Sequence, residues 1–432
     1  MKDLKVVVIG AGSYVFGPSI LIQALVEHRL TSIDLALVDV DAEMVELMGA
    51  VGRRLATEHA VDARITTHTD RLAALDGADF VICSAARQIY PRFETDCGVI
   101  DRLMPGHLVT EFGGIAGISY SLRQIALIEE IANDMRRICP DAWLLNSANP
   151  LPRVSQAAHE AGIRTAGFCN VTIGTYGLLW RLLRGEQAEY PYAAAREAWQ
   201  LTMGGVNHFA WVLGFSDRAT NADLLPSFRA ILDRRGSTGN PLCEALYREL
   251  GIFPVPCDNH IRDFVRPRGV LPQREAPTHG TPEERRRRTA YLRAVGAGDA
   301  SWEELQRHPS WERPVDFVAA LAFGKPVSFS ALDLINEGQA PDLPASAFVE
   351  TPCTIADGKI QPVRLALPKA VQPYAAHTAR VTDTIVQAAR QRSRRLVHAA
   401  VELDPTIIDK SAGFRAIDAC LEAHADILPA YA

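Results

Sequence analysis

A few short segments of this chain carry polar residues at positions that packing alone does not require. Cys169 lies in Gly167-Phe168-Cys169-Asn170 and His208 in Gly204-Gly205-Val206-Asn207-His208. A thiolate and an imidazole can share a divalent transition metal, with substrate oxygens completing the shell. Taken singly, each has a plainer reading: a small buried thiol and a core histidine with its hydrogen bonds satisfied. Glu111 stands in the glycine-rich run Thr110-Glu111-Phe112-Gly113-Gly114. A carboxyl there serves as a general acid if burial raises its pKa; otherwise it is a solvated glutamate before a helix. Asn146 and Asn149, in Asn146-Ser147-Ala148-Asn149-Pro150, offer amides to sugar hydroxyls or to a nicotinamide; the alternative is an ordinary Asn-Pro turn. Asn170, beside Cys169, is a further candidate for substrate contact.

Near the N-terminus, Gly10-Ala11-Gly12-Ser13 follows directly on a β-branched run, Lys5 to Ile9. Glycines at a strand-to-helix turn let the backbone approach a pyrophosphate, and the helix N-terminus supplies unpaired N–H groups. The spacing departs from GxGxxG, because the next glycine is Gly17. Asp39 ends the second strand, where a carboxylate accepts the ribose hydroxyls of the adenosine and repels a 2′-phosphate. This favours NAD over NADP. The separation from Gly10 exceeds the usual ~20 residues, so the first helix or its loop must be longer. Asp41 is the alternative acceptor.

These residues need a frame. Strands are expected at 34–39, 64–67, 79–83, 142–146 and 163–169, with helices over about 42–59 and 119–138. Strands alternating with helices argue for a parallel sheet covered on both faces. The expected class is α/β: an N-terminal Rossmann-type domain over 1–170 and an α+β domain over 171–432 for substrate, metal and oligomerisation. In the second part, 201–215 reads as one long strand or two joined strands. Residues 266–282 read as an exposed loop, 348–355 and 359–365 as a hairpin about Ala-Asp-Gly, and 372–428 as helical.

Bulk properties narrow the partners. The net charge of -6 over 432 residues excludes a typical nucleic-acid binder. The run Arg285 to Arg288 is read as a solvated helix face. There are 8 cysteines and no CxxC pair, so reduced thiols in a cytoplasmic protein are expected. No apolar run is long enough for a secretory signal or a bilayer span. A 2-hydroxy-acid dehydrogenase of the lactate/malate type shares the glycine turn and an Asn-Pro after a strand. Its catalytic His needs a carboxylate orienter and a substrate arginine, and His208 fits metal binding better. A non-catalytic NAD-sensing protein is the third possibility.

In combination and order, these segments resemble family four of the glycoside hydrolases, the NAD- and metal-dependent glycosidases, or a close sister family. The resemblance covers nearly the whole chain. Gly10-Ala-Gly-Ser, Ala78-Asp-Phe-Val-Ile, Cys139-Pro-Asp-Ala-Trp-Leu-Leu-Asn146 and Asn149-Pro150 match its first domain. Gly-Phe-Cys169-Asn170 and Gly-Val-Asn207-His208 match its metal-binding segments, and Asn336-Glu-Gly-Gln-Ala-Pro-Asp-Leu-Pro with Phe348-Val-Glu350 matches a later one. Gly114-Ile-Ala-Gly117 departs from the family's GPGG-like run. The resemblance implies NAD held by Gly10, Gly12, Ser13, Asp39 and Asn146, and a divalent metal, Mn2+, on Cys169 and His208. It implies Glu111 as acid and a homo-oligomer, dimer or tetramer. Many members use a tyrosine base; the corresponding region here reads Phe253-Pro-Val-Pro-Cys-Asp258-Asn-His260, which nominates Asp258, then His260. The implied reaction is redox-assisted elimination, outside the two-carboxylate scheme: hydride leaves sugar C3, the C2 proton is removed, the glycosidic oxygen departs, water adds at C1, and the hydride returns. Arg87, Arg92, Arg123, Arg153 and Arg262 flank the candidate segments. Arginine binds anions bidentately, so an anionic hexoside (a uronide, a sulfoquinovoside or a 6-phosphate) is the expected substrate, with surface arginines as the alternative.

Overall fold

The β-branched run at the N-terminus forms β1 (Leu4–Ile9) at the centre of a parallel sheet. β2 (Ile33–Val38), β3 (Ala63–His68), β4 (Phe80–Cys83), β5 (Trp143–Asn146) and β6 (Arg164–Gly167) join it in the order β3-β2-β1-β4-β5-β6. All these pairings are parallel, which is the doubly wound nucleotide-binding topology. In this computed structural model residues 4–169, 171–185, 192–235, 238–268, 281–306 and 312–432 are described. Most of the exposed loop expected over 266–282, and Asn170, lie outside them.

Successive β1 residues point to opposite faces, and both faces are buried. Val7 and Ile9 join an apolar cluster with the helix Gly114–Ile138. Val6 and Val8 join another with the helices Phe16–Ile22, Ala42–Glu58 and Pro314–Phe323. A strand buried on both faces has no polar alternation, which is why these strands read as continuous apolar runs. The separation between Gly10 and Asp39 is taken up by a π-helical turn, Gln23–Glu27, that extends the first helix. Helices at Ile89–Leu103 and Leu151–Glu160 were not expected from the sequence.

The sheet does not stop at residue 170. β7 (Trp199–Val206), β8 (Phe209–Asp217), β9 (Pro254–Val255), β10 (Val327–Ile335), β11 (Phe348–Ala356) and β12 (Lys359–Pro362) continue it. Beyond β6 the order runs β10-β11-β7-β8-β9, with β12 on β11. The stretch expected as one or two strands is a hairpin, β7–β8, with Asn207-His208 as its tip. One register row crosses the whole sheet: Cys83, Asn146, Gly167, Asp333, Glu350, Gly205 and Ala210 stand opposite one another in turn. The C-terminal helices Gln372–Arg390, Arg394–Leu403 and Lys410–Ala423 return to the first half and bury Ile385, Val397 and Ile417 against it. The division at 170 thus separates stretches of sequence that share one sheet and its apolar cores. Among the described residues no helix is long and apolar enough to cross a membrane.

Candidate active site

The carboxyl ends of β1, β4, β5 and β6 open on one edge of the sheet, where doubly wound folds hold their ligands. Gly10 leaves β1 at φ 88°, in the left-handed region. A Cβ there would meet the Ala85 backbone nitrogen at 3.0 Å. At Gly12 a Cβ would lie 2.8 Å from the Asp39 carboxylate, whose Oδ2 accepts the Gly12 N–H at 2.8 Å. Its other oxygen accepts the Asp41 N–H at 3.0 Å. Gly17 packs so closely on the Ala11 carbonyl that no side chain fits; the late glycine therefore does the close-packing work of the missing one. Ser13 Oγ accepts the Phe16 N–H at 3.2 Å and fixes the helix start. Asp41 is the N-cap of Ala42–Glu58, accepting from Met44, whereas Asp39 lies against the glycine turn itself.

Past β5 the two asparagines divide. Asn146 is fully buried. Its amide donates to Ala148 O and Ser155 Oγ and accepts from Ala148 N, so it braces the turn rather than facing a cofactor. Asn149 Nδ2 reaches Glu111 Oε2 at 3.1 Å, and the Asn149–Pro150 peptide is cis. Solvent reaches the Glu111 side chain through the open edge of the sheet. The protein packed around the carboxyl still pushes it up to about 7, against the lowering effect of the Asn149 hydrogen bond.

The next residues bring Glu111 to the histidine. The Phe112 ring lies on the His208 ring, centroids 4.1 Å apart. Gly113 admits Asp263 so closely that a Cβ would meet its backbone at 2.8 Å. Across the crevice, Cys169 Sγ lies 3.3 Å from His208 Nε2. His208 is held at φ 69° at the hairpin tip, a conformation that asparagine or glycine takes more readily. Observed strain at a hairpin tip beside a thiol points to a functional constraint.

Burial, then the neighbouring His260, hold the His208 imidazole well below its usual pKa, so its lone pair is available. Burial, then Glu350, push the Cys169 thiol far up. A divalent cation would reverse that and draw off the thiol proton. At 3.3 Å apart, the sulfur and the nitrogen stand close enough for one divalent cation to take both. Among the described residues no third His, Cys, Asp or Glu joins them, which leaves the remaining positions to substrate or water oxygens.

Of the two base candidates, the geometry separates them. Asp258 accepts Leu242 N–H at 2.9 Å and Cys243 N–H at 2.8 Å. Both oxygens are spent on the start of the helix Pro241–Leu250, which removes it as a base. His260 packs edge-on against His208, centroids 4.6 Å apart. Its Nδ1 is 3.3 Å from Cys257 Sγ. Burial and Arg262 pull its pKa to about 4, so the ring is neutral at pH 7. It lines a cavity of about 350 Å³ with Val171, Ile173, Leu178, Arg181 and Pro256.

The arginines also separate. Arg87 Nη2 pairs with Glu130 at 2.8 Å, and Arg92 donates to Asp426 at 2.7 Å. Arg123 is locked on buried Asp96 at 2.7 Å. A guanidinium hydrogen-bonded to a carboxylate at under 3 Å offers little charge to an anionic ligand, which speaks against Arg87 and Arg92 as anion binders. Arg153 is buried against the Phe112 ring. Arg262, 5% exposed and two residues from His260, faces the neighbouring Asp263 carboxylate at 3.9 Å, a looser approach than those of Arg87, Arg92 and Arg123. The sequence reading passed over Phe112, Asn207, Asp333 and Glu350. A lone aspartate inside the apolar strand Val327–Ile335 was the available signal for Asp333.

A doubly wound nucleotide-type fold with a Cys–His pair at its carboxyl edge defines the class. The sequence matches the Family 4 glycosyl hydrolase over residues 5–184 and the Family 4 glycosyl hydrolase C-terminal domain over residues 203–407. The chain belongs to family 4 of the glycosyl hydrolases. An alpha-galacturonidase of Bacillus subtilis is 28% identical over 441 residues, covering 95% of each chain. A 6-phospho-alpha-glucosidase of Leptotrichia buccalis is 24% identical, covering 99% of each. A 6-phospho-alpha-glucosidase from gut microorganisms, solved in complex with NAD and Mn2+, superposes over 100% of both chains with TM-score 0.78 at 20% identity. The malate dehydrogenase of Plasmodium falciparum shares the fold at TM-score 0.51, 14% identity, over 91% of this chain and 99% of its own.

Proposed function

We propose that this protein is an NAD- and divalent-metal-dependent glycosidase, with Mn2+ as the metal, that cleaves an anionic hexoside by oxidation at C3, elimination and water addition. The observation that carries the reading is the Cys169–His208 pair, 3.3 Å apart, beside a glycine turn built for a dinucleotide. When bound, NAD accepts and returns a hydride and the cation polarises the adjacent carbonyl. The chain's own residues do the rest. Gly10, Gly12 and Asp39 hold the dinucleotide, and Cys169 and His208 hold the cation. His260, neutral at pH 7, accepts the C2 proton. Glu111, half-protonated near neutrality, delivers a proton to the departing glycosidic oxygen. Asn149 keeps that carboxyl turned to the crevice, and Arg262 receives the substrate's anionic group. Among the anions weighed, a uronide is favoured by the alpha-galacturonidase relative. The dehydrogenase alternative loses ground because His208 Nε2 meets a thiol, not a carboxylate.

The test is incubation with an aryl galacturonide in D₂O, with and without NAD⁺. Deuterium at C2 of the released sugar, dependent on NAD⁺ and without net NADH, is the expected result. Cleavage indifferent to NAD⁺ with no label would reject the route. Dependence on a nicotinamide dinucleotide and the absence of disulfides among the cysteines support a cytoplasmic location. The homo-oligomer remains a proposal that light scattering decides.

A further inference from the structure

Asp333 and Glu350 stand opposite each other across β10 and β11, on one face of the sheet. They are 1% and 3% exposed. Like charges in that relation repel, and buried charge without a partner is costly. Among the described residues no cationic side chain offsets them: burial, then Glu350, push the Asp333 carboxyl well above its usual range, and burial pushes Glu350 up to about 7 against the lowering effect of Asn207, so without a cation the pair favours its neutral, protonated forms. Asn207, fully buried, donates Nδ2 to Glu350 Oε1 at 2.7 Å. Both Asp333 oxygens, Glu350 Oε2 and Asn207 Oδ1 are buried acceptors without a hydrogen-bond partner. The carboxyl oxygens that converge here find no partner among the described residues beyond the Asn207 amide, which leaves them able to respond to a nearby cation.

Its place in the fold says where that charge belongs. Asp333 pairs with Gly167 in the strand that leads to Cys169, and its side chain covers Gly167 so closely that a Cβ would meet it at 3.0 Å. Glu350 pairs with Gly205 in the strand that leads to His208. Asn207 joins the layers: its side chain donates to Glu350 at 2.7 Å and lies near enough to Cys169 to pull the thiol's pKa down against burial. We propose that Asn207, Glu350 and Asp333 are positioning residues that set the affinity of the Cys169–His208 pair for a divalent cation. Asn207 bridges the sulfur's strand end to Glu350, and the two carboxyls, which a nearby cation lets ionise, add negative charge one layer behind the ligands. Partners one layer beyond the ligands tune metal sites in this way. The inference rests on the metal reading of the proposed function.

The experiment uses chelator-treated full-length protein and Mn2+ alone as probe, with bound and free ion measured by electron paramagnetic resonance. Glu350→Gln and Asp333→Asn should each weaken Mn2+ binding on the order of 10–100-fold and leave NAD⁺ affinity unchanged. The thermal midpoint of the metal-free protein should hold, because a neutral amide replaces a carboxyl that burial already favours in its neutral form. A purely structural role predicts the opposite: a lower midpoint, with Mn2+ and NAD⁺ binding lost together. That result, or unchanged Mn2+ affinity in both variants, overturns the inference. Cys169→Ala separates the two levels. If it abolishes Mn2+ binding while Glu350→Gln and Asp333→Asn bind as the parent does, only this inference fails. If the parent binds no Mn2+, or Cys169→Ala binds it equally, the metal reading falls and takes the inference with it.

Discussion

Replacing Glu111 by Gln keeps the side-chain shape and a partner for Asn149 but removes the proton that the leaving oxygen needs. With its pKa at about 7 instead of the ordinary 4.5, about half of the carboxyl is protonated at pH 7, against roughly 0.3% without the shift. General acids of this kind contribute about 10²–10⁴ in rate. The contribution depends on the leaving group. Glu111→Gln should therefore lower kcat/KM on a methyl glycoside by about 10²–10³, and by under ~10 on a 4-nitrophenyl glycoside, whose phenolate departs unaided. The parent's rate on the methyl glycoside should fall as pH rises through about 7, as the acid ionises, and that limb should vanish in the variant. Asn149→Ala removes the one hydrogen bond that lowers this pKa, so it should move the limb to higher pH. C2 exchange in D₂O precedes loss of the leaving group, so Glu111→Gln should exchange C2 deuterium into unreacted substrate faster than it cleaves. The reasoning is refuted if the variant cleaves both glycosides equally well relative to the parent, or loses exchange and cleavage in the same proportion.

Other consequences follow from the same geometry. Asp39→Ala should weaken NAD⁺ binding and narrow its preference over NADP⁺, read by titrating both cofactors; an unchanged ratio would place the ribose elsewhere. Burial raises the Asp263 carboxyl to about 7 from 3.8, so its contribution to stability is complete below pH ~4 and is lost as pH rises through the folded value. Asp263→Asn should remove up to about 3 kcal/mol of the fall in stability between pH 5 and 8, measured by urea unfolding; parallel pH curves for variant and parent would contradict it. Arg87→Ala and Arg92→Ala, which break ion pairs on the protein's own carboxylates, should leave KM for an anionic substrate within about twofold, whereas Arg262→Ala should raise it by about tenfold or more. A KM that rises equally in all three would return the anion to the crevice mouth.

Much of the parallel half was legible because its signals are local. A β-branched run, a glycine turn and a carboxylate at the next strand end lie within a short stretch, and each reflects a backbone requirement that only certain residues meet. Strand runs buried on both faces are apolar throughout, so they stand out from helices at once. The helices Ile89–Leu103 and Leu151–Glu160 were not expected; Pro91 and Pro152 sit in their first turns, where a missing N–H costs little and proline does not break a helix. The hairpin β7–β8 was ambiguous because its tip is Asn207-His208, not a glycine turn.

The sequence by itself determined the nucleotide turn, the strand ends that carry Cys169 and Asn149, and the identity of the residues able to do chemistry. Those depend on local backbone geometry and residue type. Only the tertiary structure decided how the candidates are used. Asp258 and Asn146 look as available in the sequence as His260 and Asn149, yet backbone N–H and C=O groups from neighbouring turns claim them. The arginines divided in the same way, by which carboxylate folding brought opposite each one. Asp333 and Glu350 became a pair through strand register between segments far apart in the chain. Hydrogen bonds, ion pairs and burial are set by contacts across the fold, and those contacts decide which polar groups remain free to act.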